Sequence, residues 1–227
     1  MPKLRSIHLR SGNEDLVSDN IQHVVRDGDD RLDLSCLKHL SLELVYLAPV
    51  SESLPQQIDV AALQSLQIYY CPGLGLFLDK LSMMPSLKRG ALTHVSMYVS
   101  YDLNPTNPVQ ATQRFLSICP LLSELRLEQF GSTHQAVDMV CIVRHGATLT
   151  SLAVSMHADS SLHRSYPVSD FRSMARSCQK LDTLAIDMPQ VDLGPVGLLG
   201  DGWSLGKQRF DVAYVQSEFE AALVSNI

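Results

Sequence analysis

The chain has 227 residues, of which 45% are apolar and 19% charged, and a formal net charge of −6. That balance is too apolar for a disordered chain. It lacks the basic stripe that a nucleic-acid binder uses against phosphates, and no apolar run nears the ~18 residues that cross a bilayer.

Seven segments share the pattern apolar-x-x-apolar-x-apolar. In chain order they are Leu4-Ile7-Leu9, Leu37-Leu40-Leu42, Leu63-Leu66-Ile68, Leu92-Val95-Met97, Leu122-Leu125-Leu127, Leu149-Leu152-Val154 and Leu181-Leu184-Ile186. Their first leucines lie 33, 26, 29, 30, 27 and 32 residues apart. A repeat of this length with this pattern predicts one short strand per unit. The position two residues beyond each third apolar residue holds Ser11, Leu44, Tyr70, Val99, Gln129, Met156 and Met188. Most are apolar, so the in-out alternation is expected to run on.

The links carry helical signals. Asp27, Asp29, Asp30 and Asp33 around Gly28 form an acidic connector, with Arg31 where an EF-hand would need an oxygen ligand. Segment 54–62 allows a turn or two. Leu74, Phe77, Leu78, Leu81 and Met84 share a helical face, and Pro85 ends it. Asn107-Pro108 predicts a cap and first turn ahead of Val109, Thr112, Phe115, Leu116 and Cys119. Ser132-x-x-Gln135 reads as a capping box before Val137, Val140 and Cys141, with Gly146 as a left-handed stop. Phe171, Met174, Ala175 and Cys178 repeat the spacing. Gly194, Pro195, Gly197, Gly200, Gly202 and Gly206 mark a loop over 190–206, and a closing helix is expected at 212–224. The division is therefore a repeat domain over 1–189 and a loop plus helix over 190–227.

Strand–helix alternation at this period demands parallel pairing through crossovers. The fold class is α/β, and the expected architecture is a curved solenoid with its parallel sheet inside and its helices on the convex face. A doubly wound sheet is the alternative, but its strands would be longer and more uniformly apolar.

Two joints, Cys119-Pro-Leu-Leu122-Ser-Glu-Leu125-Arg-Leu127 and Cys178-Gln-Lys-Leu181-Asp-Thr-Leu184-Ala-Ile186, match Cys-x-x-Leu-x-x-Leu-x-Leu. Leu63-Gln-Ser-Leu66-Gln-Ile68-Tyr-Tyr-Cys71 matches too. In these residues the chain resembles leucine-rich repeats of the ribonuclease-inhibitor-like class, and within it the F-box/leucine-rich-repeat proteins, over roughly residues 4–189. The resemblance implies a non-catalytic protein-binding module, the substrate-recognition region of an F-box-type ubiquitin-ligase receptor or a stand-alone scaffold. No F-box-like segment precedes Leu4, so the adaptor-binding role maps onto no residue here. An enzyme with an unrecognised site on an α/β scaffold is the remaining alternative.

Three rows should face the open side of such a sheet. The first runs Ser6, His39, Ser65, His94, Glu124, Ser151, Thr183. The second runs His8, Ser41, Gln67, Ser96, Arg126, Ala153, Ala185. The third runs Arg10, Glu43, Tyr69, Tyr98, Glu128, Ser155, Asp187. Tyr69 and Tyr98 should be neighbours standing largely in solvent, amphipathic as interface hot spots are. With Glu43, Glu128, Arg126, His39 and His94 they form the candidate binding face, suited to a basic or aromatic segment of a partner protein. Loops 99–108 and 157–167 would border it.

No metal or other cofactor is expected. His39 and His94 are two strands apart, too far for one zinc, whereas His8 and His39 could approach. The cysteines, odd in number and without a CxxC, read as buried inert thiols: Cys119, Cys141 and Cys178 on helix inner faces, Cys71 at a turn, Cys36 beside Leu37. Gly73-Leu-Gly75 lacks the GK[ST] of a P-loop, and no G-x-S-x-G occurs. With no signal-peptide pattern, the expected setting is intracellular, cytoplasmic or nuclear. The edge at the first repeat is expected to be uncovered and prone to self-association.

Overall fold

The computed structural model describes residues 4–11, 34–100, 106–130, 136–157, 166–186 and 210–211. Its centre is a sheet of seven parallel strands in sequence order: β1 (Ser6–Arg10), β2 (His39–Glu43), β3 (Ser65–Tyr69), β4 (His94–Ser100), β5 (Glu124–Phe130), β6 (Ser151–His157) and β7 (Thr183–Ile186). An eighth, two-residue strand, β8 (Phe210–Asp211), pairs with β7 antiparallel and was not foreseen in the sequence. The acidic connector and the helix expected at 212–224 lie outside the described residues.

Pairing is strictly in register. Ile7, Leu40, Leu66, Val95, Leu125, Leu152 and Leu184 form one row across all seven strands. Leu9, Leu42, Ile68, Met97, Leu127, Val154 and Ile186 form the next. From β2 to β6 both rows are buried; in β1, Ile7 and Leu9 are only partly so. A one-residue slip would turn these apolar sets to water, so the pattern fixes the register.

The backbone repeats a single joint. The carbonyl ahead of each strand accepts two amides from the start of the next unit: Arg5 from Lys38 and His39, Lys38 from Gln64 and Ser65, Gln64 from Thr93 and His94. Thr93, Ser123 and Thr150 continue the series. The hydroxyls of these last three also donate back to the preceding joint carbonyl, at 3.3, 3.1 and 3.1 Å.

Among the described residues five helices occupy the links: α1 (Ser53–Gln57), α2 (Leu74–Ser82), α3 (Pro108–Ile118), α4 (Met139–Val143) and α5 (Val168–Ser177). Short 3-10 turns, Ala48–Val50 and Leu87–Arg89, supplement the first two. The buried side chains of α1 to α5 join the apolar strand rows in one core. α2 packs on α3, and Arg114 clamps the pair by donating to both oxygens of Asp79 at 2.7 and 2.9 Å.

The cap of α3 is as the sequence implies: Asn107 accepts from the amides of Val109 and Gln110. Val109, Thr112, Phe115, Leu116 and Cys119 are all buried. The capping box expected at Ser132 and Gln135 lies outside the described residues; Asp138, accepting from the Val140 amide at 2.9 Å, caps α4. Just before it Val137 is tied to the core, its amide donating to the buried Gln129 Oε1 at 2.8 Å and its carbonyl accepting from the Tyr166 hydroxyl at 2.7 Å.

Gly146 is also not left-handed; only Gly73 among the described glycines has positive φ. Gly146 is needed for close approach, since a Cβ there would sit 2.4 Å from the Ser177 carbonyl oxygen. Ala175 faces water rather than the core, and Cys141 is half-buried. The loop expected from residue 99 starts later, because β4 continues to Ser100 with Val99 buried.

Candidate functional site

One face of the sheet is covered by the helical layer, and the other is open. The first two rows read from the sequence lie on the open face in the expected register. The third does so from Arg10 to Tyr69 and again from Tyr98 to Ser155, the pairing of β3 with β4 ending at Ile68 and Met97; Asp187 lies outside the described residues. Their side chains floor a groove of about 580 Å³ over β3 to β7. Its far part is small: Ser151, Ala153, Ser155, Thr183 and Ala185. Its near part carries the charge, with His94, Glu124, Arg126 and Glu128 beside Tyr69.

The charges are paired on the face itself. Arg10 lies 3.5 Å from Glu43, His94 lies 3.2 Å from Glu124, and Arg126 donates through Nε at 3.0 Å and through Nη2 to Glu128. The Glu128 hydrogen bond holds the Arg126 pKa above its ordinary value. His39 is exposed. His8 meets Ser41 at 2.8 Å, its register partner. Among the described residues no group of three His, Cys, Asp or Glu could hold a metal ion.

The aromatic residues sit otherwise than expected. Tyr69 and Tyr98 are both half-buried, not largely in solvent. Tyr69 bonds through its hydroxyl to Ser96 on β4. The ring against Tyr98 is that of Tyr70, at a centroid distance of 4.2 Å. Phe130 continues the row, 6.4 Å from Tyr98 and nearly parallel to it. Tyr70 is 49% exposed and Phe130 37%.

Sequence alternation placed Tyr70 toward the core. It turns out because its φ is +53°, left-handed, and Leu44 after β2 does the same at +56°. These two residues end their strands. Cys71 then seals the turn: its thiol accepts from the Val45 amide at 3.4 Å and donates to the Leu42 or Tyr69 carbonyl at 3.5 and 3.2 Å. Neither Gly nor Asn stands at 44 or 70 to signal the change of hand.

Three polar groups that the sequence reading did not single out lie in the core behind this face. Gln129 is buried under β5, and its Nε2 lies near the Tyr166 oxygen without a full hydrogen bond. Burial pushes the Tyr166 phenol well above its usual range. His145 is wholly buried; its Nδ1 accepts from the Leu122 amide at 3.3 Å. Burial, with Arg144 adjacent, lowers its pKa from 6.5 to about 4, so it is neutral at pH 7. The Cys119 thiol is pushed up to about 12 by burial, and that of Cys178 is also raised, as inert core thiols should be. None of the five cysteines is in a disulfide.

No described helix is long and apolar enough to cross a membrane. Comparison with family models, curated proteins and solved structures finds no match.

Proposed function

We propose that the chain is a leucine-rich-repeat module of the ribonuclease-inhibitor-like kind, a curved array that binds another protein through its open sheet face and catalyses nothing. The observation that carries this reading is the aromatic row on the rim of the open face, with Tyr70 and Phe130 exposed and Tyr98 half-buried between them. Aromatic side chains with polar tips supply large contact area at little entropic cost, which is the composition of interface hot spots. Curvature is expected because a helix takes about 10 Å of width and a strand about 4.8 Å, so a layer of helices behind a parallel sheet bends it. The groove carboxylates support binding over chemistry, since Glu128 is paired with Arg126 and Glu124 lies 3.2 Å from the His94 ring on the same face.

The test begins with in-cell crosslinking to identify a partner, then titrates the purified partner against variants. Tyr70→Ala with Tyr98→Ala should weaken binding by more than about 2 kcal/mol, roughly thirtyfold. Arg114→Ala, on the helical side, should leave affinity unchanged. A partner indifferent to the tyrosine pair and sensitive to Arg114 would move the interface off the sheet.

A further inference from the structure

Two of the charge pairs on the open face are lopsided. Arg10 is 62% exposed against 26% for Glu43, and Arg126 is 57% exposed against 16% for Glu128. The carboxylates lie low and the guanidinium groups stand above them. A molecule approaching these pairs therefore meets N–H donors before it meets carboxylate oxygens. Nor does the pairing exhaust Arg126. Glu128 Oε1 accepts from Nε and Nη2, while a guanidinium carries five N–H donors in a planar fork. In the strand register Arg126 is opposite Ser96, the residue bonded to Tyr69, and Glu128 is opposite Tyr98, so the guanidinium and the aromatic row belong to neighbouring positions of one face. The expectation of a basic or aromatic segment drew its basic half from Glu43 and Glu128, and these carboxylates lie lower on the face than their arginine partners.

We propose, on the reading of the open face as a protein-binding surface, that its occupant is an acidic peptide segment of a partner. A carboxylate seats on Arg126, and a nearby aromatic side chain packs on Tyr70, Tyr98 and Phe130. Charge-assisted hydrogen bonds to a guanidinium fork are among the strongest that such a surface can offer. The net charge of −6 acts mostly through exposed charges beyond about 8 Å, which physiological salt largely screens; the nearer exposed carboxylate, Glu124 on the same strand, is held 3.2 Å from the His94 ring.

A random-peptide phage library panned against the full chain tests the proposal, with Arg126→Gln, Arg126→Lys and Tyr98→Ala panned in parallel. The expected pool is rich in Asp or Glu close to Phe, Tyr or Trp. Synthetic peptides from it should bind Arg126→Gln at least ~10-fold more weakly. Arg126→Lys, which keeps the charge beside Glu128 but loses the fork, should fall between. A basic or uncharged pool overturns the acidic occupant, as do acidic peptides indifferent to Arg126→Gln. If such peptides still lose affinity with Tyr98→Ala, the binding face itself stands. Peptides indifferent to every variant, or no enrichment, overturn the face and its occupant together.

Discussion

The units around β2 and β3 close differently from those around β5 and β6. After β2 and β3 the backbone changes hand at once, at Leu44 and Tyr70, and in the second turn a thiol gathers the loose backbone groups. β5 and β6 run two residues longer, to Phe130 and His157, and the space behind them is closed by buried polar side chains, Gln129, His145 and Tyr166. The strand register is the same in both regions. Packing of the shared rows therefore sets the sheet, while the local chemistry of the links is free to vary.

If the shared rows dominate, the two regions should respond alike to a hole in the core. Leu66→Ala and Leu125→Ala should each destabilise the fold by about 2–5 kcal/mol, measured by denaturant unfolding. A loss confined to one of them would break the equivalence.

Acid should separate the regions. His145 has its pKa lowered to about 4 in the folded chain, from 6.5. Above pH 6.5 its contribution is fully present. As pH falls from 6.5 to 4 the unfolded chain takes up a proton that the folded chain refuses, and stability is lost, by up to about 3 kcal/mol. Unfolding curves at stepped pH should show this limb, and His145→Asn should flatten it. A limb of the same height in the variant would assign the effect to other groups.

Gln129→Ala leaves the Val137 amide buried without its acceptor. It should cost about 1–3 kcal/mol and raise hydrogen exchange around α4 before exchange around α2. The smallest effect belongs to the left-handed turns. Leu44→Asn, suited to positive φ, should stabilise by at most about 1 kcal/mol in thermal unfolding. A clear destabilisation would mean that the half-buried Leu44 side chain outweighs its backbone strain.

The sequence made the sheet legible because its signal is periodic and repeated: the seven parallel strands and their inward rows follow from leucine spacing, whereas the two-residue β8 carries no such spacing. All three open rows follow from the same count. What the count could not see is a change of backbone hand without glycine or asparagine, and so Tyr70 was placed inside. Phe130 lies beyond the repeated apolar pattern of its unit, and only the extension of β5 carries it onto the aromatic row. Gln129, one residue earlier, stood out only as a polar break in an apolar column. His145 lies in a link, where neither period applies. The hydroxyls of Thr93, Ser123 and Thr150 share a repeat position, so their alignment too is legible in the sequence.

The shared carbonyl joints have a mechanical consequence. From Arg5 to Thr150, six carbonyls each hold the next unit by two amides. Tension applied across the strand order would load these joints in series rather than together. The chain should then lengthen in discrete steps, one unit peeling from its neighbour at a time, and it should yield first at a joint that has no hydroxyl behind its amides.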